Sequence, residues 1–261
     1  MEVFLAYSDD ADDAAMFYAI ERGYVGLPGV KFRHFRADIQ TLNRMASRGE
    51  PDVCAVSVAY VPRIAHMYDL LPHGGSVGRG YGPVVVALSP DAPLRRVAVP
   101  GLDTTAAAVL RLAAPGAELV EEVGAGLQQS IEGLRAGRYD AAALVHEGRL
   151  VYQDVGLHLL LDLGAWWEKE TGLPLPLGAN VIRAGLDRKL YDDLIGVLGE
   201  SIRWAVDHRD EILDALADHG RARGLDRARL AHYLDLYANE DTVGYDEICQ
   251  QAIWELLRRI R

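Results

Sequence analysis

The sequence has no dense cluster of basic residues. Its 261 residues carry 27 Lys and Arg against 38 Asp and Glu, which gives a formal net charge of −11. The densest basic stretch, residues 221–229, is interrupted by Leu225 and Asp226, a pattern typical of a solvated helix surface. Because nucleic acids and anionic membranes are bound by neutralising phosphates with Lys and Arg, we expect neither as a partner.

Cysteine is scarce, and long apolar runs are missing. Cys54 and Cys249 are far apart in apolar surroundings, so we expect buried free thiols and a reducing compartment. No apolar stretch approaches the ~20 residues of a membrane span. The opening MEVFLAY and the aspartates after it lack the basic and apolar layout of a signal peptide. We therefore expect a soluble, cytoplasmic protein.

Motifs for metals and cofactors are also missing. None of the eight histidines forms a metal-ligand spacing such as HxxxH. The acidic run SDDADD at residues 8–13 offers four carboxylates, but Mg²⁺ sites generally use one or two together with substrate phosphates. We interpret the run as helix capping and solvated surface. GRGYG at residues 78–82 precedes a strand instead of linking a strand to a helix, which excludes a dinucleotide loop. No metal and no cofactor are expected.

The patterns that are present alternate between strand and helix. Residues 3–7, 30–35 and 53–56 are predicted strands with amphipathic helices between them. This rhythm predicts parallel pairing in an α/β fold. Residues 84–88 are predicted as a further strand of the same part of the chain, and the sequence is almost wholly helical from residue 187 onward.

Two breaks in this rhythm predict that one lobe is inserted into another. They lie at residues 89–93 and at the Pro174 and Pro176 pair. We expect residues 1–89 with 177–261 to form the first lobe and residues 90–176 to form the second. A cleft between two lobes is a favoured ligand site.

His146 is the main candidate for chemistry. The apolar run at residues 141–145 predicts a buried strand, and His146 follows its carboxyl end, where ligand sites of open α/β sheets lie. An imidazole with an ordinary pKa of ~6.5 suits proton abstraction near neutrality. A structural histidine at a strand end is the alternative.

Two further segments are predicted to face the cleft. A helix begins at Thr104 after a Pro-Gly turn, and its hydroxyls and free N–H groups would suit a carboxylate or a phosphate. A plain threonine N-cap explains the same residues. Ser57 ends the third predicted strand on the other side of the cleft, where a serine also commonly starts a turn.

Several segments together resemble the 1,4-dihydroxy-6-naphthoate synthase family of the futalosine route to menaquinone. They occur in the family order and span most of the chain: SDDADDAAMFYAI, DIQTLN, GRGYGPVVV, VPGLDTTA, HEGRLVYQDVGL and DLGAWWEKETGLPLPLGANVIR. The sequence departs from the family at Asp9, where a proline is usual, which puts any substrate contact from that loop in doubt.

The resemblance implies a two-lobed type II periplasmic-binding-protein-like fold, used as a cytoplasmic enzyme without metal or redox cofactor. It implies a carbon–carbon lyase that converts cyclic dehypoxanthine futalosine to 1,4-dihydroxy-6-naphthoate and expels the sugar-derived fragment. The partner would be a small molecule that carries a carboxylate. By position, His146 would be the proton acceptor. The substrate-binding residues would be Ala55, Val56, Ser57, Thr104, Thr105 and Ala106.

Two other functions stay open at this point. The related enzyme that dehydrates chorismate shares the fold and the tryptophan-containing segment, although HEGRLVY and PLPLG count against it. A non-catalytic solute-binding protein is the alternative from another class. Either a monomer or a homodimer is expected.

Overall fold

The computed structural model describes residues 1–124 and 126–260. Within these ranges eleven strands form two sheets. The strands are β1 Glu2–Tyr7, β2 Lys31–Arg36, β3 Val53–Ser57, β4 Tyr68–Leu70, β5 Ser76–Gly78, β6 Val84–Ala87, β7 Arg96–Val99, β8 Glu118–Glu121, β9 Ala141–Leu144, β10 His158–Asp162 and β11 Leu175–Arg183.

Thirteen α-helices accompany the strands in the same ranges. They are α1 Ala11–Glu21, α2 Ile39–Ser47, α3 Val61–Ile64, α4 Thr105–Ala113, α5 Leu127–Arg135, α6 Gly148–Val151, α7 Leu163–Thr171, α8 Arg188–Asp207, α9 Arg209–Ala215, α10 Ala217–Ala222, α11 Arg227–Tyr237, α12 Glu240–Val243 and α13 Glu247–Arg259. None of these helices is long and apolar enough to cross a membrane.

The first sheet has the order β2-β1-β3-β11-β4, and β5 pairs with β11. β1 pairs in parallel with both β2 and β3, as the strand–helix rhythm predicts. β11 returns antiparallel to β3, with Ala179 opposite Val56 and Gly178 opposite Ser57. All five residues of β3 are buried, which suits a central strand covered on both faces.

The second sheet has the order β10-β6-β9-β7-β8. β9, which leads to His146, pairs in parallel with β7 and antiparallel with β6. The expected position of residues 84–88 in the first lobe is therefore wrong, since β6 lies inside the second sheet between β9 and β10. The break at residues 89–93 joins two strands of one sheet, and the crossing between sheets comes earlier, between β5 and β6. Four buried apolar residues, VVVA, form β6 and would fit a central position in either sheet, so the sequence pattern did not distinguish them.

The glycine-rich stretch at residues 78–82 lies at that crossing. Gly164, in the first turn of α7, packs so closely against it that a Cβ added there would lie 1.9 Å from the carbonyl carbon of Tyr81. The Tyr81 hydroxyl lies between the backbone carbonyls of Val77 and Leu236, which share its one hydrogen. The stretch thus forms a tight joint between the sheets, and this close packing explains why it is rich in glycine.

The helical C-terminal part covers the first sheet and reaches over the cleft. α8 packs along α1, and Ser201 of α8 donates to the Met16 carbonyl at 2.6 Å. α11 also packs on α1, which places Tyr233 above the beginning of that helix. This position of α11 brings residues near the C-terminus to the end of β9.

Candidate functional site

His146 lies two residues beyond the end of β9 in a backbone conformation that is uncommon for residues other than glycine. Its φ is 49°, and it is the one non-glycine residue with a positive φ in the described parts of the chain. The left-handed region costs a side-chain-bearing residue free energy, and such residues concentrate at functional sites. The turn is closed by hydrogen bonds from Gly148 N–H to the Val145 carbonyl and from Arg149 N–H to the His146 carbonyl.

Both imidazole nitrogens have partners from distant segments. Nε2 lies 3.3 Å from Oδ2 of Asp10, and Nδ1 lies 3.3 Å from the hydroxyl oxygen of Tyr233. The Tyr233 hydroxyl donates its own hydrogen to Asp12 Oδ1 at 2.8 Å. Because that hydrogen is committed to Asp12, Tyr233 accepts from His146, so Nδ1 carries the proton. The lone pair of a neutral His146 is then on Nε2.

The charge around His146 favours its protonated form. Burial alone lowers the pKa of the imidazole, but the carboxylates of Asp10, then Asp12 and Glu147, outweigh burial and raise the pKa above its usual 6.5. The imidazole therefore holds a proton to a higher pH than a free histidine does.

The acidic run is built into the site, so its interpretation as solvated surface is wrong for three of its four aspartates. Asp12 and Asp13 are only 4% and 7% exposed, and Asp10 occupies the N-cap position without a side-chain capping bond. Burial, followed by the charge of Asp12, raises the pKa of Asp13 to about 8, and burial also raises the pKa of Asp12. Asp9 alone is on the surface, where it pairs with Arg36 and Arg223.

A signal for this burial exists in the sequence. α1 reads ADDAAMFYAIE, with small or apolar residues on every side of the helix, and residues 11–20 are all buried. A helix that is apolar all round is typically enclosed by other elements. Acidic residues in its first turn are therefore expected to be enclosed with it, even though aspartates at helix starts are usually exposed.

Glu147 and Arg149, which flank Gly148 after His146, have different environments. Glu147 is 7% exposed, and burial together with the charge of Asp10 raises its pKa to about 7. Arg149 points away from the imidazole: it pairs with Asp162 at 2.8 Å and donates to the Gly82 carbonyl at 2.7 Å. Arg149 thus fastens the turn to the joint between the sheets.

Two cavities meet at His146. The larger, of about 540 Å³, is lined by polar side chains from both lobes, among them Asp10, Asp38, Gln129 and Glu147. The smaller, of about 70 Å³, lies between β3, the start of α4 and β11. Val145, His146 and Ile39 line both cavities, so the imidazole is accessible from each of them.

The sequence-predicted residues Ser57, Thr104, Thr105 and Ala106 line the smaller cavity with His146. The two threonine hydroxyls are already engaged: Thr104 caps α4 by accepting from Ala107 N–H, and Thr105 donates to the Leu177 carbonyl at 2.7 Å. The Ser57 hydroxyl accepts from Nδ2 of Asn43 at 3.3 Å. A ligand can use the hydrogen of the Ser57 hydroxyl and the N–H groups of the first turn of α4, which have no carbonyl partner within the helix. Ala55 and Val56 lie within β3 and are not among the residues that line either cavity.

Asp10, Asp12 and His146 could also hold a cation, because one ligand atom of each lies within 4.8 Å of the others. Histidine spacing gave no sign of this set, since the aspartates come from the other end of the chain. The hydrogen bond from Tyr233 to Asp12 and the contact between Asp10 and His146 also explain the same arrangement without an ion.

Comparisons with known proteins agree on one family. A family model described as menaquinone biosynthesis matches residues 3–261. The chain is 38% identical over 262 residues to a 1,4-dihydroxy-6-naphthoate synthase of Streptomyces coelicolor, an alignment that covers 98% of this chain and 91% of the relative.

Solved structures agree on the fold. A protein of Archaeoglobus fulgidus superposes with a TM-score of 0.92 at 37% identity, over 99% of this chain and 96% of that one. A Candida albicans protein described as having the generic periplasmic binding protein fold superposes with a TM-score of 0.67 at 12% identity, over 99% and 95% of the two chains. The predicted two-lobed, periplasmic-binding-protein-like α/β fold is confirmed.

Proposed function

The chain belongs to the menaquinone biosynthesis family, and from that premise we propose that it is a 1,4-dihydroxy-6-naphthoate synthase. It would convert cyclic dehypoxanthine futalosine to 1,4-dihydroxy-6-naphthoate and expel the sugar-derived fragment, with His146 as general base. The observation that carries this proposal is the imidazole at the junction of two cavities, held by Tyr233 on one nitrogen and facing a carboxylate with the other.

The tautomer of His146 suits a base. Tyr233 keeps the proton on Nδ1, so Nε2 is the nitrogen that accepts a proton from the substrate. Asp10 lies 3.3 Å from Nε2 in the free protein. The neutral imidazole is the reactive form, and the substrate hydroxyl takes the place of the Asp10 carboxylate beside the unprotonated Nε2.

Each cavity binds one part of the substrate. The aromatic acid faces the smaller cavity, where the N-terminal turn of α4 presents N–H groups and the positive end of the helix dipole to its carboxylate. The expelled fragment is rich in hydroxyl groups and faces the larger cavity, whose polar side chains can exchange hydrogen bonds with it. The bond that breaks then lies beside His146.

The chemistry is a retro-aldol-like cleavage. His146 removes the proton from a hydroxyl of the sugar-derived part, a carbonyl forms there, and the carbon–carbon bond breaks. Its electron pair moves into the ring, which becomes aromatic. Closure of the two lobes excludes water and strengthens the hydrogen bonds that polarise the substrate carbonyl. The reaction requires no redox cofactor, since the substrate undergoes no net oxidation.

The state of the two cysteines indicates the cellular compartment of the reaction. Cys54 and Cys249 are buried free thiols, which suits a reducing compartment, and we assign the activity to the cytoplasm.

Incubation of the purified protein with cyclic dehypoxanthine futalosine, and separately with chorismate, tests the proposal. Mass spectrometry of the products should show 1,4-dihydroxy-6-naphthoate from the first substrate and no change in the second. Turnover of chorismate alone would assign the dehydratase instead. Tight binding of the cyclic substrate without any product would assign a solute-binding protein.

A further inference from the structure

Glu147 has the position of a group that takes part in chemistry but has no role in the cleavage described above. It lines the larger cavity next to His146, yet its side chain is more than nine-tenths buried. Its Oε1 atom has no hydrogen-bond partner among the described residues. A buried polar atom without a partner costs free energy, and a position beside a cavity and a proposed base makes a chemical role for this one worth testing.

The groups around Glu147 favour a protonated carboxyl. Burial, followed by the charge of Asp10 at the beginning of α1, raises the pKa of Glu147 to about 7, although His146 in the same turn acts to lower it. Tyr233 of α11 is also close enough to feel the charge of Glu147. Arg223, which follows α10, also acts to lower the pKa of Glu147, but its Nε lies 3.6 Å from Oε1, beyond hydrogen-bond distance. Nη2 of Arg223 is directed to Asp9, whose carboxylate and carbonyl oxygens lie 2.7 and 2.8 Å away, and Nη1 lies 3.3 Å from Nδ1 of His219. Arg223 is therefore only partly available to offset the burial of Glu147.

The cleavage needs a proton donor as well as a base. When the carbon–carbon bond breaks, negative charge develops on a ring oxygen, and proton transfer from a positioned acid stabilises such a transition state. We propose that Glu147 is the acid partner of His146 and donates its carboxyl proton to this oxygen. This inference rests on the proposed function.

The transfers balance without any further reactant. Nε2 of His146 takes the hydroxyl proton, the C–O bond of that hydroxyl becomes a carbonyl, and the carbon–carbon bond breaks. The ring oxygen that receives the charge takes the proton of Glu147 and becomes a hydroxyl. The imidazolium proton then returns to the Glu147 carboxylate through water in the shared cavity. Both side chains end in their starting states.

The test is the pH dependence of kcat/KM for wild type and Glu147→Gln with the cyclic substrate. Glutamine has the same shape but no proton to donate. General acid catalysis is typically worth ~10²–10⁴-fold, so kcat should fall by at least about 100-fold with KM little changed. The wild-type profile should be bell-shaped, with apparent pKa values that belong to the His146 and Glu147 pair. The variant should lose the alkaline fall, because one of the two ionisations is gone.

Two controls separate a chemical role from a structural one. Glu170→Gln on the exposed face of α7 makes the same charge change outside the site and should leave rate and profile unaltered. Glu147→Asp retains an acid that is set back by one methylene, so it should be slower than wild type and keep the alkaline fall.

The outcomes distinguish this inference from the proposed function. If wild type forms no product from the cyclic substrate, the proposed function fails. If wild type forms product and Glu147→Gln keeps both kcat and the bell-shaped profile, only the acid role fails. Should the glutamine variant not fold, an aspartate variant with the full wild-type rate would overturn the role.

Discussion

The hydroxyl oxygen of Tyr233 lies 3.3 Å from Nδ1 of His146, although the two residues are 87 positions apart in the chain. Asp12 accepts the hydrogen of that hydroxyl, so Tyr233 can only accept from the imidazole. A helix near the C-terminus thereby fixes which nitrogen of the proposed base is free to react.

Tyr233→Phe should lower kcat by about 5- to 10-fold, because a hydrogen bond that orients the imidazole is worth about 1 kcal/mol. The ring packing is kept, so KM should change little. Steady-state kinetics with the cyclic substrate measure the split. Tyr245→Phe is the matched control, since the buried Tyr245 hydroxyl has no hydrogen-bond partner among the described residues and lies outside the site. Equal rates for wild type and Tyr233→Phe would show that this contact does not orient the base.

Asp10→Asn should move the acid limb of the kcat/KM profile to lower pH. After the opposing effect of burial, Asp10 is the largest influence on the pKa of His146 and raises it above 6.5. Since the base must be unprotonated to act, the wild-type limb should lie above pH 6.5, and loss of the carboxylate should shift it downward. Asp210→Asn removes the same charge from a fully accessible position. An acid limb that stays in place in Asp10→Asn would contradict the assignment.

Asp13→Asn should stabilise the protein increasingly as pH rises from 4 to 8. The pKa of Asp13 is raised to about 8 in the folded state, so folding favours the protonated carboxyl. The stability that this protonated carboxyl contributes is complete below pH 4 and is lost as pH rises through 8. Asparagine has no such ionisation and can still accept from the Ser8 N–H. The variant should gain at least about 1.4 kcal/mol over wild type across this range, the free energy of one pKa unit.

Urea unfolding at pH 4, 6 and 8 measures this difference. Asp207→Asn, on the exposed end of α8, should give no comparable trend. A difference between Asp13→Asn and wild type that is constant with pH would mean that Asp13 ionises normally in the folded protein.

Gly164→Ala should destabilise the joint between the sheets. Its added Cβ would lie 1.9 Å from the carbonyl carbon of Tyr81, and backbone atoms cannot yield as a side chain can. Overpacking of this kind costs about 1–3 kcal/mol or more. Gly196→Ala in the middle of α8 has nothing within 4 Å of the new Cβ and should be stabilising, as alanine is the better helix former. Thermal unfolding compares the two, and equal midpoints would mean that the joint adjusts freely.

The sequence predicted much of the fold because its signals are local. The strand that leads to His146, the helix capped by Thr104 and the helical region after residue 187 follow from apolar periodicity and capping chemistry. Sheet membership is not a local property. β6 was expected in the first lobe, and only its partners β9 and β10 place it in the second.

The same limit applies to the candidate site. His146 stood out by its position after a buried strand, and Ser57 and Thr104 are near it, lining the smaller cavity. Tyr233 did not stand out, because a tyrosine at an apolar position of an amphipathic helix is typical of a core residue. Its contact with His146 depends on how α11 packs over α1, and this packing is set by the whole fold.

Product formation from cyclic dehypoxanthine futalosine by wild type and by His146→Ala tests whether His146 is the base. His158→Ala, at an exposed position of β10, serves as the matched control, and circular dichroism confirms that each variant is folded. We expect the rate of His146→Ala to be at least about 100-fold below that of wild type, the lower end of general base catalysis, while His158→Ala retains the full rate. A folded His146→Ala variant that forms 1,4-dihydroxy-6-naphthoate at the wild-type rate would show that the base is elsewhere.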